Sequence, residues 1–163
     1  MSGKNKRGNV WLGVTGLLIN AEQEWLVVKK RYGGLKGKWS LPAGFVNAGE
    51  TVDEAIVREM KEETGINCKV KGLIGLRTGV IQSEISDNML IFLMEATEKQ
   101  IIKIQEDELF DVQFLDPMEL IRSEDSSIML KYILEKTDAE VKAAIHGINP
   151  GDQFGYTSYK LFL

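Results

Sequence analysis

The fold class this sequence predicts is α/β: one domain with helices on both faces of a sheet. Three observations carry that reading. β-rich runs recur at residues 10–20, 25–31, 67–81, 89–96 and 112–115. A segment with helical periodicity and marked ends, residues 51–64, interrupts them, and the C-terminal third turns helical.

Taken in order, residues 1–9 are short and basic (Lys4, Lys6, Arg7) and read as a flexible tail leading into a single domain over residues 10–163. The apolar run from Val10 to Ile19 is broken by Gly13, Thr15 and Gly16. It is too short to span a bilayer, which takes about 20 apolar residues, and no small-residue cleavage site follows it, so no signal peptide is expected. Ala21-Glu22-Gln23-Glu24 reads as a hairpin turn between the first two strands. Residues 32–38 form a glycine- and lysine-rich loop ending at Trp39 and the extended piece Ser40-Leu41-Pro42. The nearly continuous apolar stretch 89–96 has the character of a central strand. Helices are expected over residues 117–122, 127–136 and 139–145, followed by an aromatic tail over 154–163.

Composition narrows the function classes. The chain has 163 residues and a formal net charge of −4, against a surface that attracts nucleic acid as a whole. Cys68 is the only cysteine, so neither an internal disulfide nor a cysteine-cluster zinc site can form. A lone cysteine fits a reducing compartment, and the cytoplasm is the expected location. His146, the only histidine, reads as a solvent-facing helix residue. If the protein is an enzyme, its proton chemistry falls to carboxylates, with lysines in support.

The segment 51–64 has both its ends written in the sequence. Thr51 and Glu54 make a Thr-x-x-Glu capping box, and Gly65 sits where a left-handed residue would stop the helix. At 100° per residue Ile56, Val57 and Met60 share a core-facing side, while Glu59, Glu62 and Glu63 fall on a neighbouring stripe. Acids so close repel, at about 0.2–0.5 kcal/mol per exposed pair. Two readings are open: a solvated acidic face with Arg58 bridging Glu54 and Glu62, or a seat for a hard divalent cation.

The residues before the helix favour the second. Gly44, Glu50, then Arg58-Glu59-Met60, Glu62-Glu63 and Gly65-Ile66 stand at the spacing Gly-x5-Glu-x7-Arg-Glu-aliphatic-x-Glu-Glu-x-Gly-aliphatic. This stretch resembles the Nudix box, with every specified position filled and Met60 at an aliphatic place. The lead-in Trp39-Ser-Leu-Pro-Ala43 is similar to the family's usual approach, with Ala43 where glycine is commoner.

The resemblance implies an α/β/α sandwich around a mixed β-sheet and hydrolysis of a nucleoside diphosphate linked to another moiety. It implies that Glu59, Glu62 and Glu63, with the Ala43 carbonyl, hold Mg²⁺ or Mn²⁺. Arg58 would orient Glu59, the expected base, and Glu50 would steady the loop. Some relatives add a carboxylate from a later loop; here the candidates are Glu84 and Asp87 in residues 82–88, and Glu106, Asp107 and Glu108, with Glu106 or Glu108 favoured. Lys29, Lys30, Arg31, Lys36 and Lys38 could contact substrate phosphates or simply aid solubility. Trp11, Trp25 and Trp39 read as buried strand residues, and Cys68 as a strand thiol.

Substrate is argued by absence. The chain lacks the proline found about fifteen residues after the box in ADP-ribose-cleaving relatives; its prolines are Pro42, Pro117 and Pro150. It also lacks the tyrosine of dinucleoside-polyphosphate-cleaving ones. A nucleoside triphosphate, an oxidised one included, is the leading expectation, with a nucleotide sugar or an RNA 5′ end open. The partner is then a small-molecule nucleotide, with no DNA-binding segment, no membrane and a homodimer left open. A nucleotide-binding sensor without turnover is the alternative, against which the intact Arg58, Glu59, Glu62 and Glu63 set speaks.

Overall fold

A computed structural model describes residues 8–99, 101–136 and 140–163. Nine strands, three helices and a short 3₁₀ turn are assigned among these residues. A four-stranded mixed sheet has the order β4-β1-β6-β5, built from β1 (Val10–Leu18), β4 (Ala43–Phe45), β5 (Cys68–Ile81) and β6 (Ile85–Ala96). Within it β1 runs parallel to β6, while β4 and β5 run antiparallel to their neighbours. A three-stranded antiparallel sheet, β3-β2-β7, joins Trp39–Ser40, Trp25–Lys30 and Leu109–Leu115. The helices are α1 (Val52–Thr64), α2 (Pro117–Arg122) and α3 (Ile128–Glu135). Two short strands, β8 (Ala144–Ile145) and β9 (Leu161–Phe162), pair near the C-terminus.

The layers follow from strand alternation. Val14 and Leu18 of β1, Leu26 and Val28 of β2, and Phe92 and Met94 of β6 face one side, where they bury Ala55, Ile56 and Met60 of α1. Leu17, Trp25 and Val27 point the other way, onto Leu120 of α2 and Leu130 and Leu134 of α3. Sheets with helices on both faces result, as the period-2 pattern requires. Each fully buried side chain of this size contributes about 1.5–3 kcal/mol, so α1 is anchored chiefly through Ile56 and Met60.

Several expectations are met. The apolar run 89–96 lies in β6, between β1 and β5. Gly65 ends α1 with φ 75°, and the Thr51 N–H donates to Glu54 at 2.8 Å, the Glu54 half of the expected box. Trp25 and Trp39 are buried, whereas Trp11 is only half-buried; α2 and α3 form where helices are expected, their N-termini capped by the side chains of Asp116 and Ser127.

Others are corrected. The turn at residues 20–24 exists, with the Asn20 N–H donating to the Glu24 carbonyl at 2.9 Å, but only Ile19 bridges Trp25 across it. The two strands then part into different sheets, because each is paired on both sides by other strands. Residues 82–88 are not one loop: Gln82 and Ser83 turn with positive φ, and β6 is already formed at Ile85. The helix expected over 139–145 is absent from its described part, residues 140–145, where Ala144–Ile145 is a strand against β9; Ala139 lies outside the described residues. His146 is exposed as expected, but not on a helix. Of the N-terminal tail, residues 1–7 lie outside the described residues.

Candidate active site

The site grows from one helix and the loop that enters it. β4 runs antiparallel to β1, with Gly44 opposite Val14, and the chain then loops through Asn47 and Glu50 to the Thr51 cap. Gly44 and Glu59 meet here. A Cβ at position 44 would collide with the Glu59 carboxylate, so only glycine lets that side chain lie against the β4 backbone.

Arg58 is the hub. Its Nε donates to Glu50 Oε2 at 3.0 Å and its Nη2 to Glu50 Oε1 at 2.7 Å. The same guanidinium donates to Glu59 at 2.8 Å, to Glu62 at 3.2 Å and to the Phe45 carbonyl at 2.9 Å. Glu50 also accepts from the Asn47 N–H at 2.7 Å, which fixes the loop. The expected bridge from Arg58 to Glu54 and Glu62 is half corrected: Glu62 is a partner, but Glu50 takes the place of Glu54. The Arg58 hydrogen bonds hold the Glu50 carboxyl below its ordinary pKa, and Glu50, above all, holds the guanidinium charged.

The three acids of the stripe differ in setting. Glu63 is 2% exposed, Glu59 is half-buried and Glu62 is exposed. Glu63 lies between the core row and the stripe, so the helix turns it inward beside Met60. Its carboxylate forms an ion pair with Lys30 Nζ and accepts from the Ala43 N–H at 3.2 Å. Burial pushes the carboxyl groups of both Glu59 and Glu63 up in pKa, against the pull of Arg58 and Lys30. Glu62 raises Glu59 further, and Glu59 raises Glu63, so the acids feel one another's charge.

Lys30 joins this group from the end of β2. In the sequence it is one of several bases upstream; strand alternation singles it out, because Leu26, Val28 and Lys30 share the face packed on α1. Its neighbours point elsewhere. Lys29 lies over the Trp39 ring, 4.6 Å from the centroid, and Arg31 donates to the Leu109 carbonyl at 3.0 Å. Lys38 donates to the Glu124 carbonyl at 2.8 Å.

The later acids separate. Asp87 lies on β6 and is paired with Arg77 at 2.6 Å, while Glu84 stands at the hairpin turn. Glu106, Asp107 and Glu108 precede β7, and the Arg31 N–H donates to the Glu108 carbonyl at 2.9 Å. Since Lys30 pairs with Leu109, this second group borders the Lys30 end of the site.

Donor chemistry decides whether a cation suits the place. Among the described residues no three acidic, histidine or cysteine side chains are already gathered around a cation position, and Arg58 and Lys30 are paired with the carboxylates of Glu59 and Glu63. The donor set still fits a hard divalent ion: three carboxylates on adjoining turns of one helix, two of them shielded from water and mutually repelling.

The NUDIX domain family matches residues 11–135. The chain belongs to the Nudix family. Nudix hydrolases in general use divalent metal ions. This Nudix chain is 49% identical over 59 residues to an ADP-ribose pyrophosphatase of Methanocaldococcus jannaschii, covering 36% of this chain and 35% of that protein. It is 36% identical over 70 residues to the human 8-oxo-dGDP phosphatase NUDT18, covering 43% of this chain and 22% of that one. These matches span well under half of the relatives' length. A MutT protein structure from Methanosarcina mazei superposes with a TM-score of 0.66 at 21% identity, covering 81% of this chain and 95% of the other. The mixed α/β fold is thus that of the MutT-like Nudix structures. Among the described residues no helix is long and apolar enough to cross a membrane.

Proposed function

We propose that this chain is a divalent-metal-dependent hydrolase of nucleoside diphosphates linked to another moiety, with α1 as its working element. The observation that supports it most is the Arg58 hub, which ties Glu50, Glu59 and Glu62 into one hydrogen-bonded group beside buried Glu63.

In this reading Glu59, Glu62 and Glu63, with the Ala43 carbonyl, hold Mg²⁺, or Mn²⁺ in its place. Such an ion would supply charge to neutralise phosphate oxygens and to acidify water. Glu59 would take the proton of the attacking water, its carboxylate held by Arg58 against the β4 backbone. Arg58 fixes the direction in which Glu59 points, and Glu50 fixes Arg58. Lys30 balances the Glu63 charge in the absence of an ion. The turn of Glu106, Asp107 and Glu108 is the better placed source of a further acid, since it borders Lys30.

For substrate, a nucleoside triphosphate remains the specific expectation, an oxidised one included. The names of the two relatives add ADP-ribose and 8-oxo-dGDP to the candidates. A reducing, cytoplasmic setting belongs to the same reading, supported by a single buried cysteine. The test is product release from 8-oxo-dGTP, 8-oxo-dGDP, ADP-ribose and UDP-glucose, with Mg²⁺ or with EDTA. Mg²⁺-dependent cleavage of at least one supports the reading; tight binding of a nucleotide with no cleavage would leave the sensor alternative instead.

A further inference from the structure

The family match ends at residue 135, yet the chain beyond it returns to α1. Three fastenings hold residues 140–163. Lys142 and Leu73 of β5 exchange two backbone hydrogen bonds, at 2.8 and 2.9 Å. The crossing is so close that a Cβ on Gly72 would stand 2.7 Å from the Lys142 carbonyl oxygen. Next, β8 pairs with β9, and Phe162 meets the buried Phe92 edge-on with ring centroids 5.7 Å apart. Last, Lys160 reaches the first turn of α1, where its Nζ donates to Asp53 Oδ2 at 2.6 Å and to Thr51 Oγ1 at 3.3 Å.

We propose that Lys160 is a positioning residue for the hydrolysis, and that residues 140–163 form a strap that sets the N-terminal turn of α1. The inference rests on the reading of α1 as the hydrolytic element. The contacts form one chain from the strap to the base. Lys160 holds Thr51 and Asp53; Thr51 adjoins Glu50; Glu50 grips Arg58; Arg58 aims Glu59. The Lys160 and Asp53 side chains are only 17% and 16% exposed, so this is no loose surface pair. Without the ammonium, the shielded Asp53 carboxylate gains by swinging toward water, and the helix turn that carries it follows. The helix N-terminus still favours an anion there, so the fold survives the loss.

The experiment compares wild type, Lys160→Met and Lys160→Arg by kcat and KM on 8-oxo-dGTP, 8-oxo-dGDP and ADP-ribose with Mg²⁺, and by amide hydrogen exchange. Lys160→Met is expected to lower kcat at least about fivefold with KM within about twofold, the mark of misaimed groups rather than lost binding. Lys160→Arg, which keeps the charge and reach, restores most of the rate. Amides in the first turn of α1 exchange at least about tenfold faster in Lys160→Met, while those of β1 do not change. An unchanged kcat overturns the proposal, as does a loss fully explained by a smaller folded fraction at the assay temperature. A wild type that cleaves none of these substrates, nor UDP-glucose, sinks the hydrolase reading and with it the role in hydrolysis. The exchange data then decide on the strap alone, and unchanged first-turn amides overturn it.

Discussion

Arg58 and Glu50, eight residues apart, are joined by two parallel hydrogen bonds of 3.0 and 2.7 Å, one from Nε and one from Nη2. This fork leaves the other guanidinium nitrogen, Nη1, to hold Glu59 and Glu62. A lysine cannot reproduce it, because an ammonium is a point charge without a planar fork. Arg58→Lys is therefore expected to lower kcat at least about tenfold, since a misplacement of about 1 Å can cost a hundredfold. The melting temperature should change little. Paired measurements of kcat and thermal unfolding check both halves.

Gly44 supplies a second test of the same alignment. In Gly44→Ala the new methyl group occupies the space of the Glu59 carboxylate. The side chain must move away, at a packing cost of about 1–3 kcal/mol. The expected result is a loss of kcat comparable with that of Arg58→Lys in a protein that still unfolds cooperatively. Wild-type turnover in this variant would mean that Glu59 works from another position.

Lys30→Met separates charge balance from catalysis. Glu63 is 2% exposed and Lys30 is its cation. Removing that partner should destabilise the metal-free protein by up to about 3 kcal/mol. Millimolar Mg²⁺ should restore part of the loss, because the ion replaces the missing charge. Urea unfolding in EDTA and in Mg²⁺ measures both; an equal loss in the two conditions would separate Glu63 from the cation site.

Acid stability reports on the strap. Burial works to raise the Asp53 carboxyl, but the Lys160 and Thr51 hydrogen bonds outweigh it and hold the pKa below the ordinary 3.8. A group lowered in this way stabilises the fold above its unfolded pKa, and the contribution vanishes as pH falls through the folded value. The gap in melting temperature between wild type and Asp53→Asn should thus be full at pH 6 and shrink below about pH 4. Thermal melts across that range test it, and a gap independent of pH would contradict it.

Local signals made much of this legible. Thr51, Glu54 and Gly65 mark both ends of α1 whatever surrounds it, and the spacing of Gly44, Glu50 and Arg58 carries the site. Long-range pairing did not announce itself in the same way. Residues 140–145 contain Val141, Lys142 and two alanines, which suit a helix, yet Leu73 takes the backbone of Lys142 and β9 that of Ala144 and Ile145, which form a strand. Lys160 gave no sign at all, since its partners Thr51 and Asp53 lie over a hundred residues away in sequence. Asp87 looked like a loop acid because β6 extends beyond its apolar run, and Arg77 waits for it across the hairpin.

The most direct test of the acidic stripe of α1 as a metal-dependent hydrolytic site is turnover at saturating Mg²⁺ in Glu62→Gln and Glu63→Gln. Each amide keeps the side-chain shape and removes one anionic donor. The account predicts losses on the order of a hundredfold or more for each variant, with cooperative unfolding retained. Both variants turning over at the wild-type rate would contradict it.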